Sequence, residues 1–411
     1  MTRPSVFFAR TSNDAEVPVS WRTLTPVRLT HALANRAGRY RNEMRARRQR
    51  LHNYAPYPAL VTATTQVPAA AKPAVDVHNH LGYWLNGDQS WMVPDVGALI
   101  AAMDELNVAT IVNLDGRWGA ELEANLNRYD RQHPGRFATF CQLDWSLLSD
   151  ARFPTLLLDM VRRAVNAGAC GIKVWKDLGL KVRDASKHLV QPDDPRLGDV
   201  WELAAELNLP VLIHTADPAA FWTPLDRHNE RFEELARHPE WHHGSRAVPS
   251  HQELLRSLER LLAAHRDTTF IGAHVASSAH NLERVAQLLA DHPNFVVDLA
   301  ACEAELGRQP RAAIALLVAH ADRVLWGTDS VPFEAERYRT WFRLLESADE
   351  CFPYSPGPTP EQGRWTISGL DLPAPVLTAL YADNARRLIP ALRESSPSDH
   401  APRGGDNDCP R

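Results

Sequence analysis

Eight short apolar runs recur through the middle of the chain, and their spacing constrains the fold more than any other feature. They are VDVHNH (75–80), VATIVNLDG (108–116), FATFCQLDW (137–145), CGIKVWKD (170–177), LPVLIHTAD (209–217), TFIGAHVAS (269–277), FVVDLAA (295–301) and RVLWGTDSV (323–331). Runs rich in β-branched residues and almost continuously apolar, such as LPVLIH, are the kind that a sheet buries on both faces. The segments between them, among them FPTLLLDMVRRAVNAG, LGDVWELAAELN, HQELLRSLERLLAAH and NLERVAQLLADH, place apolar residues three and four apart. That is the period of a helix with one buried face. A strand followed by a helix, eight times over, predicts an α/β fold, a (β/α)8 TIM barrel over residues 73–393, closed by the helix VLTALYADNARRLI. A doubly wound sheet would carry a glycine-rich phosphate turn after an early strand, and neither G-x-G-x-x-G nor G-x-x-x-x-G-K occurs.

The two ends read differently. Residues 1–72 form an expected basic helical arm and linker: RAGRYRNEMRARRQR, from Arg36 to Arg50, holds seven arginines and one acid and gives way to a proline-rich stretch. A basic run can touch RNA, but no aromatic RNA motif or second basic patch accompanies it, and the chain carries a net charge of −5. An arm lying on the body or on a second subunit is therefore the expectation, giving a homo-oligomer, with a dimer formed through the arm, and no nucleic-acid partner. Residues 394–411 are almost devoid of apolar side chains and are expected to be a disordered tail. No apolar run reaches the 18 or so residues of a membrane span and the start lacks a signal-peptide pattern, so no membrane partner and a cytoplasmic location are expected. Five scattered cysteines without a C-x-x-C pair suit reduced thiols.

The first run carries chemistry. In VDVHNHLG, His78 and His80 would point apart on a helix but share a face on a strand, with Asp76 expected on the same face. Lys173 in the fourth run, His214 at the end of the fifth, His274 in the sixth and Asp329 in the eighth would all arrive at the C-terminal mouth of one barrel. Each alone has an ordinary explanation, a hydrogen-bonded histidine or a helix-capping aspartate. Together they form a set of imidazoles and a carboxylate suited to Zn²⁺ or another borderline divalent ion with positions open to water and substrate. The fifth and sixth runs lie over fifty residues apart, and the excess, from PAAFWTPLDRHNERF onward, leaves the end of the barrel where active-site lids are built.

This set, H-x-H, Lys, His, His and Asp on strands one, four, five, six and eight, resembles the metal-dependent amidohydrolase superfamily. The likeness is to its amidohydrolase-related branch, which includes the aminocarboxymuconate-semialdehyde decarboxylase-like enzymes. It runs from VDVHNHLG through GIKVWK, VLIHTADP and FIGAHVAS to LWGTDS and the ADNARRL helix, and does not extend to residues 1–72. The resemblance implies that His78, His80, His214 and Asp329 ligate one or two divalent ions, zinc being the expected one, with His274 a second-metal ligand or a catalytic group. It also implies that Asp329 moves the proton of the attacking water and that Lys173 is carbamylated, bridging two ions. The alternative for Lys173 is an ammonium binding a substrate carboxylate or pairing with an acid. The implied activity is hydrolysis of an amide, ester or lactone in a small organic molecule; the alternative is a metal-dependent decarboxylase or related lyase or hydratase acting on an aromatic or unsaturated carboxylic acid.

Tryptophans near strand ends and in the lid segment, Trp84, Trp118, Trp175 and Trp222, are candidate walls for a flat or apolar substrate, or else packing between barrel and helices. Arg117 is a candidate carboxylate clamp, or a salt-bridge partner of Asp115 or Glu121, and His228 is a candidate substrate contact from the lid. No G-x-S-x-G elbow or H-E-x-x-H helix offers a different chemistry.

Overall fold

Among the described residues nine strand segments form, and every pairing between them is parallel. They are β1 (Ala74–Asn79), β2 (Val108–Asn113), β3 (Phe137–Thr139), β4 (Cys141–Gln142), β5 (Ile172–Val174), β6 (Val211–Ile213), β7 (Phe270–Gly272), β8 (Phe295–Asp298) and β9 (Val324–Leu325). The computed structural model describes residues 26–393 apart from 51–52, 55, 57, 245–246, 332, 356 and 358–359. The expected tail and the first 25 residues of the expected arm lie outside the described residues.

β3 and β4 are two halves of the third expected strand. Phe140, between them, gives its N–H to Asn113 O on one side, while Cys141 N–H reaches Gly171 O on the other, so the strand changes partner at that residue. Eight strands thus run in order around the ring. The ring is sealed where the last strand meets the first: Val77 N–H donates to Trp326 O and Asp329 N–H to His78 O. Gly327 makes this seam possible, because a Cβ there would lie 2.9 Å from His78 Cβ.

The barrel interior holds Val75, Val77, Val112, Leu212, Ile271, Val296 and Leu325, and the C-terminal helical segment plugs its lower end with Ala382, Ala385, Ile389 and Leu392. That segment contains one π turn, Ala379–Asp383, and the Leu380 carbonyl accepts from Trp326 N–H. Outside the ring, strand residues of opposite parity, such as Ile172, Val211, Phe270 and Phe295, pack against the amphipathic helices Phe153–Ala167, Gly198–Glu206, His251–Ala264 and Leu282–Asp291. The periodic apolar faces seen in the sequence are those that this layer buries.

The chain divides by its contacts into two units, Met1–Ala59 and Leu60–Arg411. The first includes the helix Pro26–Arg48, whose described side chains are mostly exposed. In the second, the stretch before β1 lies on the barrel: Ala70 N–H donates to Leu106 O, and Thr65 bonds Asp349 through both its N–H and its hydroxyl. No helix among the described residues is long and apolar enough to cross a membrane.

Candidate metal centre

β1 delivers its two histidines through an irregularity. Asp76 pairs with Ile111 and Asn79 with Asn113, so three residues of β1 stand against two of β2. The extra residue breaks the strict alternation that would have placed Asp76 beside His78 and His80. Asp76 instead accepts from the hydroxyls of Tyr338 (2.5 Å) and Thr328 (2.7 Å), behind the strand, whereas Val75 and Val77 remain inside the ring. The expectation that Asp76 shares the histidines' face is thus corrected. Asp76 anchors the loop that carries Asp329, through Thr328.

His78, His80 and Asp329 place their ligand atoms within 4.8 Å of one another. His80 Nε2 lies 3.4 Å and His78 Nε2 3.9 Å from Asp329 Oδ1. The second nitrogen of each imidazole is taken by a buried acid: His78 Nδ1 donates to Asp298 Oδ2 and His80 Nδ1 to Asp115 Oδ1, both at 2.8 Å. A carboxylate oxygen accepts, so the proton sits on Nδ1 and each Nε2 turns a lone pair toward Asp329. Burial, reinforced by the Lys173 ammonium, holds His78 well below the ordinary imidazole range, and burial does the same for His214. Asp329 stays below the usual carboxylate range: burial would raise it, but the positive charge around it, Lys173 included, outweighs that. Two imidazoles, each with its Nδ1 hydrogen-bonded to a buried acid, and one carboxylate are a donor set that fits a borderline divalent ion.

His274 stands beside this group, its ring 4.8 Å from that of His78 and 4.4 Å from that of His214. Its N–H donates to Asp298 Oδ1 and its Nδ1 meets Ala300 O, each at 2.8 Å, so Asp298 orients two histidines at once. His274 through Ser277 all have φ near +53 to +55°, four consecutive non-glycine residues in the left-handed region. Such a turn is strained, most of all at β-branched Val275, and strain of this kind concentrates where side chains must be aimed. Asp329 itself has φ +54°. His214 Nε2 faces Ala216 O at 3.2 Å, so His214 neighbours His274 without joining the three-donor group.

Lys173 is fully buried inside the ring, with Nζ 3.2 Å from His78 Nε2. Burial pulls its amine down to about 8, against the opposing pull of Asp298 and Asp329. All six sequence candidates for the centre therefore converge at one end of the barrel.

A cleft of about 850 Å³ opens above them, lined by His78, His80, His214, His274 and Asp329 and roofed by the lid segment through Phe221, Arg231 and Trp241. Of the expected substrate contacts, Trp175 and His228 line it. Trp175 lies 4.8 Å from the His80 ring. The other four stand off its wall. Arg117 is stacked on Trp118 (4.0 Å) and Trp84 (4.8 Å) and bonds Gln142, so it is no clamp over the metal group; its duller role as a neighbour of Glu121, 3.8 Å away, is the one the structure shows. Trp84 gives its Nε1–H to Asp115 Oδ1 at 2.7 Å, Trp118 packs on the core, and Trp222 donates to Pro249 O. Asp115 and Asp298, the carboxylates that orient the β1 histidines, were not among the sequence candidates. Their signal was present: each ends an apolar run, LDG and VVD, at the same end of the barrel as the ligands.

The amidohydrolase family profile matches residues 75–391. A search of curated proteins finds no match. Among solved structures, 2,6-dihydroxybenzoate decarboxylase from Rhizobium superposes with a TM-score of 0.52 at 17% identity, over 78% of this chain and 99% of that one. A TIM-barrel protein from Bordetella bronchiseptica gives 0.48 at 14% identity, over 78% and 99% of the two chains. A zinc-bound amidohydrolase from Burkholderia multivorans gives 0.46 at 14% identity, over 77% and 99%. Because the family match covers the whole barrel, from the first histidine-bearing strand to the closing helix, the chain belongs to the amidohydrolase family.

Proposed function

We propose that this protein is a metal-dependent hydrolase that cleaves an amide, ester or lactone in a small organic molecule. One observation carries the reading: His78 Nε2, His80 Nε2 and Asp329 Oδ1 converge at the cleft floor, with the second nitrogen of both imidazoles locked to buried carboxylates. His78, His80 and Asp329, with His214 and His274 adjoining, would hold zinc or a similar ion, which would acidify a water toward neutral pH and polarise the substrate carbonyl. Asp329, ionised and about a quarter exposed to the cleft, takes the proton from the attacking water and returns it to the leaving group. Asp298 and Asp115 keep the histidines in one tautomer and orientation throughout. Lys173, buried and without bulk water, is placed where carbamylation would add an anion beside His78, which supports a second ion and favours hydrolysis.

Decarboxylation, the reaction of the Rhizobium protein, is the outcome to be excluded. Turnover of a panel of aryl and alkyl amides, esters, lactones and aromatic acids in ¹⁸O-labelled water separates the two. Hydrolysis puts solvent oxygen into the acid product; release of CO₂ without label would assign the lyase reaction instead.

A further inference from the structure

The cleft wall beyond the metal group shows what kind of molecule it accepts. Among the described residues it carries seven carboxylates (Asp217, Glu230, Glu234, Glu305, Asp329, Glu334 and Glu361) against four cations (Lys176, Arg231, Arg237 and Arg337). Each cation is already committed. Lys176 Nζ is paired with Asp217 Oδ1, while Asp217 Oδ2 accepts from His243 Nε2 at 2.8 Å. Arg231, with only 4% of its side chain exposed, is forked between Glu234 and Glu305. Arg337 is paired with Glu361, and Arg237 donates to the carbonyls of Pro360 and Glu361.

At Lys176, Arg231 and Arg337 an incoming carboxylate would compete with an acid already paired there, whereas Arg237 is exposed and meets carbonyls instead. Asp217 is buried and Glu305 mostly so, and losing the cation would strand a charge in a poor dielectric, the costly half of breaking a buried pair. It would also meet an acid-rich wall, with seven carboxylates against four cations among the described residues. The lining also has an apolar part, from Leu85, Trp175, Phe221, Trp241, Cys302 and Val331. From this we infer that the site takes an uncharged substrate with an apolar body, presenting its scissile carbonyl to the metal group, and selects against substrates carrying a carboxylate away from the reacting bond. The inference rests on the hydrolase reading above and narrows it.

The test uses the full chain loaded with zinc and two matched probes, benzohydroxamic acid and its 4-carboxy derivative, with binding measured by calorimetry at 0.1 M and 1 M NaCl. The zinc-binding group is the same in both, so the ratio of affinities reports the wall alone. The uncharged probe is expected to bind at least tenfold more tightly at 0.1 M salt, with the gap narrowing at 1 M as the wall is screened. Glu334→Gln, which removes one carboxylate from the wall, is expected to narrow the gap. Equal or tighter binding of the carboxylated probe overturns the inference. So does a gap that Glu334→Gln leaves unchanged or widens, and so does binding of neither probe to protein that retains zinc. A chain that retains no zinc overturns the underlying metal reading instead.

Discussion

His80 can offer Nε2 to the cleft because Asp115 holds Nδ1, and Asp115 is itself fixed by Trp84 Nε1–H at 2.7 Å and Gly82 N–H at 3.2 Å. Trp84, expected as a substrate contact, thus works one step behind the ligand. Asp115→Asn keeps an oxygen to accept from Nδ1–H but removes the charge that makes the imidazole a better donor to a metal. Zinc affinity is expected to fall about 10- to 100-fold, measured by competition with a chromophoric chelator, with the apo protein's melting temperature nearly unchanged. An unaltered dissociation constant would show that Asp115 packs but does not tune. At this scale the sequence was legible where spacing alone set geometry, as in H-x-H. It failed at Asp76, where a single inserted strand residue sends the carboxylate to Tyr338. It also passed over Asp115 and Asp298, because an aspartate ending an apolar run is indistinguishable, in one sequence, from a cap or a turn.

The segment between β6 and β7 shows how an insertion becomes a roof. It leaves β6 after Asp217, turns through Ala219–Trp222, forms the short helix Phe232–Arg237, and returns with His243 N–H bonded to Phe221 O and the His243 ring bonded to Asp217. Among the described residues its far side is tied to elements beyond β8 by three ion pairs: Arg231 to Glu305, Arg308 to Glu230 at 2.8 Å, and Arg364 to Glu233 at 2.6 Å. The three should not be equal. Arg308 and Glu230 are about a third and a half exposed, so Arg308→Ala should cost under about 1 kcal/mol. Arg231 is buried, and Arg231→Met leaves two buried carboxylates uncompensated, a local cost of about 3–5 kcal/mol. Hydrogen exchange over residues 228–243 should therefore accelerate strongly in Arg231→Met and hardly at all in Arg308→Ala. Similar protection in both variants would mean that apolar packing, not the ion pairs, holds the lid. The insertion's length and exit point were legible in the sequence, but its anchors were not, since they join residues 74 and 131 positions apart.

Across the whole molecule the barrel was readable because it repeats one physical unit, an apolar run followed by an amphipathic helix, and repetition averages out local ambiguity. What the pattern could not give is how the units lock together, and the Asp130 contact is one such lock. Asp130 follows the helix Gly119–Arg128 and accepts from both Thr139 N–H (2.9 Å) and Thr139 hydroxyl (2.6 Å), clamping that helix to β3. Burial pushes its carboxyl up to about 6, outweighing the two hydrogen bonds that favour ionisation. A raised acid is best accommodated when protonated, so its stabilising contribution is complete below about pH 4 and is lost as the pH climbs through about 6. Asp130→Asn presents the same shape, can keep an acceptor for Thr139 N–H, and never ionises. The variant should therefore match the parent chain near pH 4 and become more stable than it by on the order of 2 kcal/mol at pH 7 and above. Chemical denaturation from pH 4 to 8 measures this directly, provided both chains unfold in one step over that range. A stability difference independent of pH would mean that Asp130 titrates as it does in the unfolded chain, and that the helix and β3 are held by apolar contacts alone.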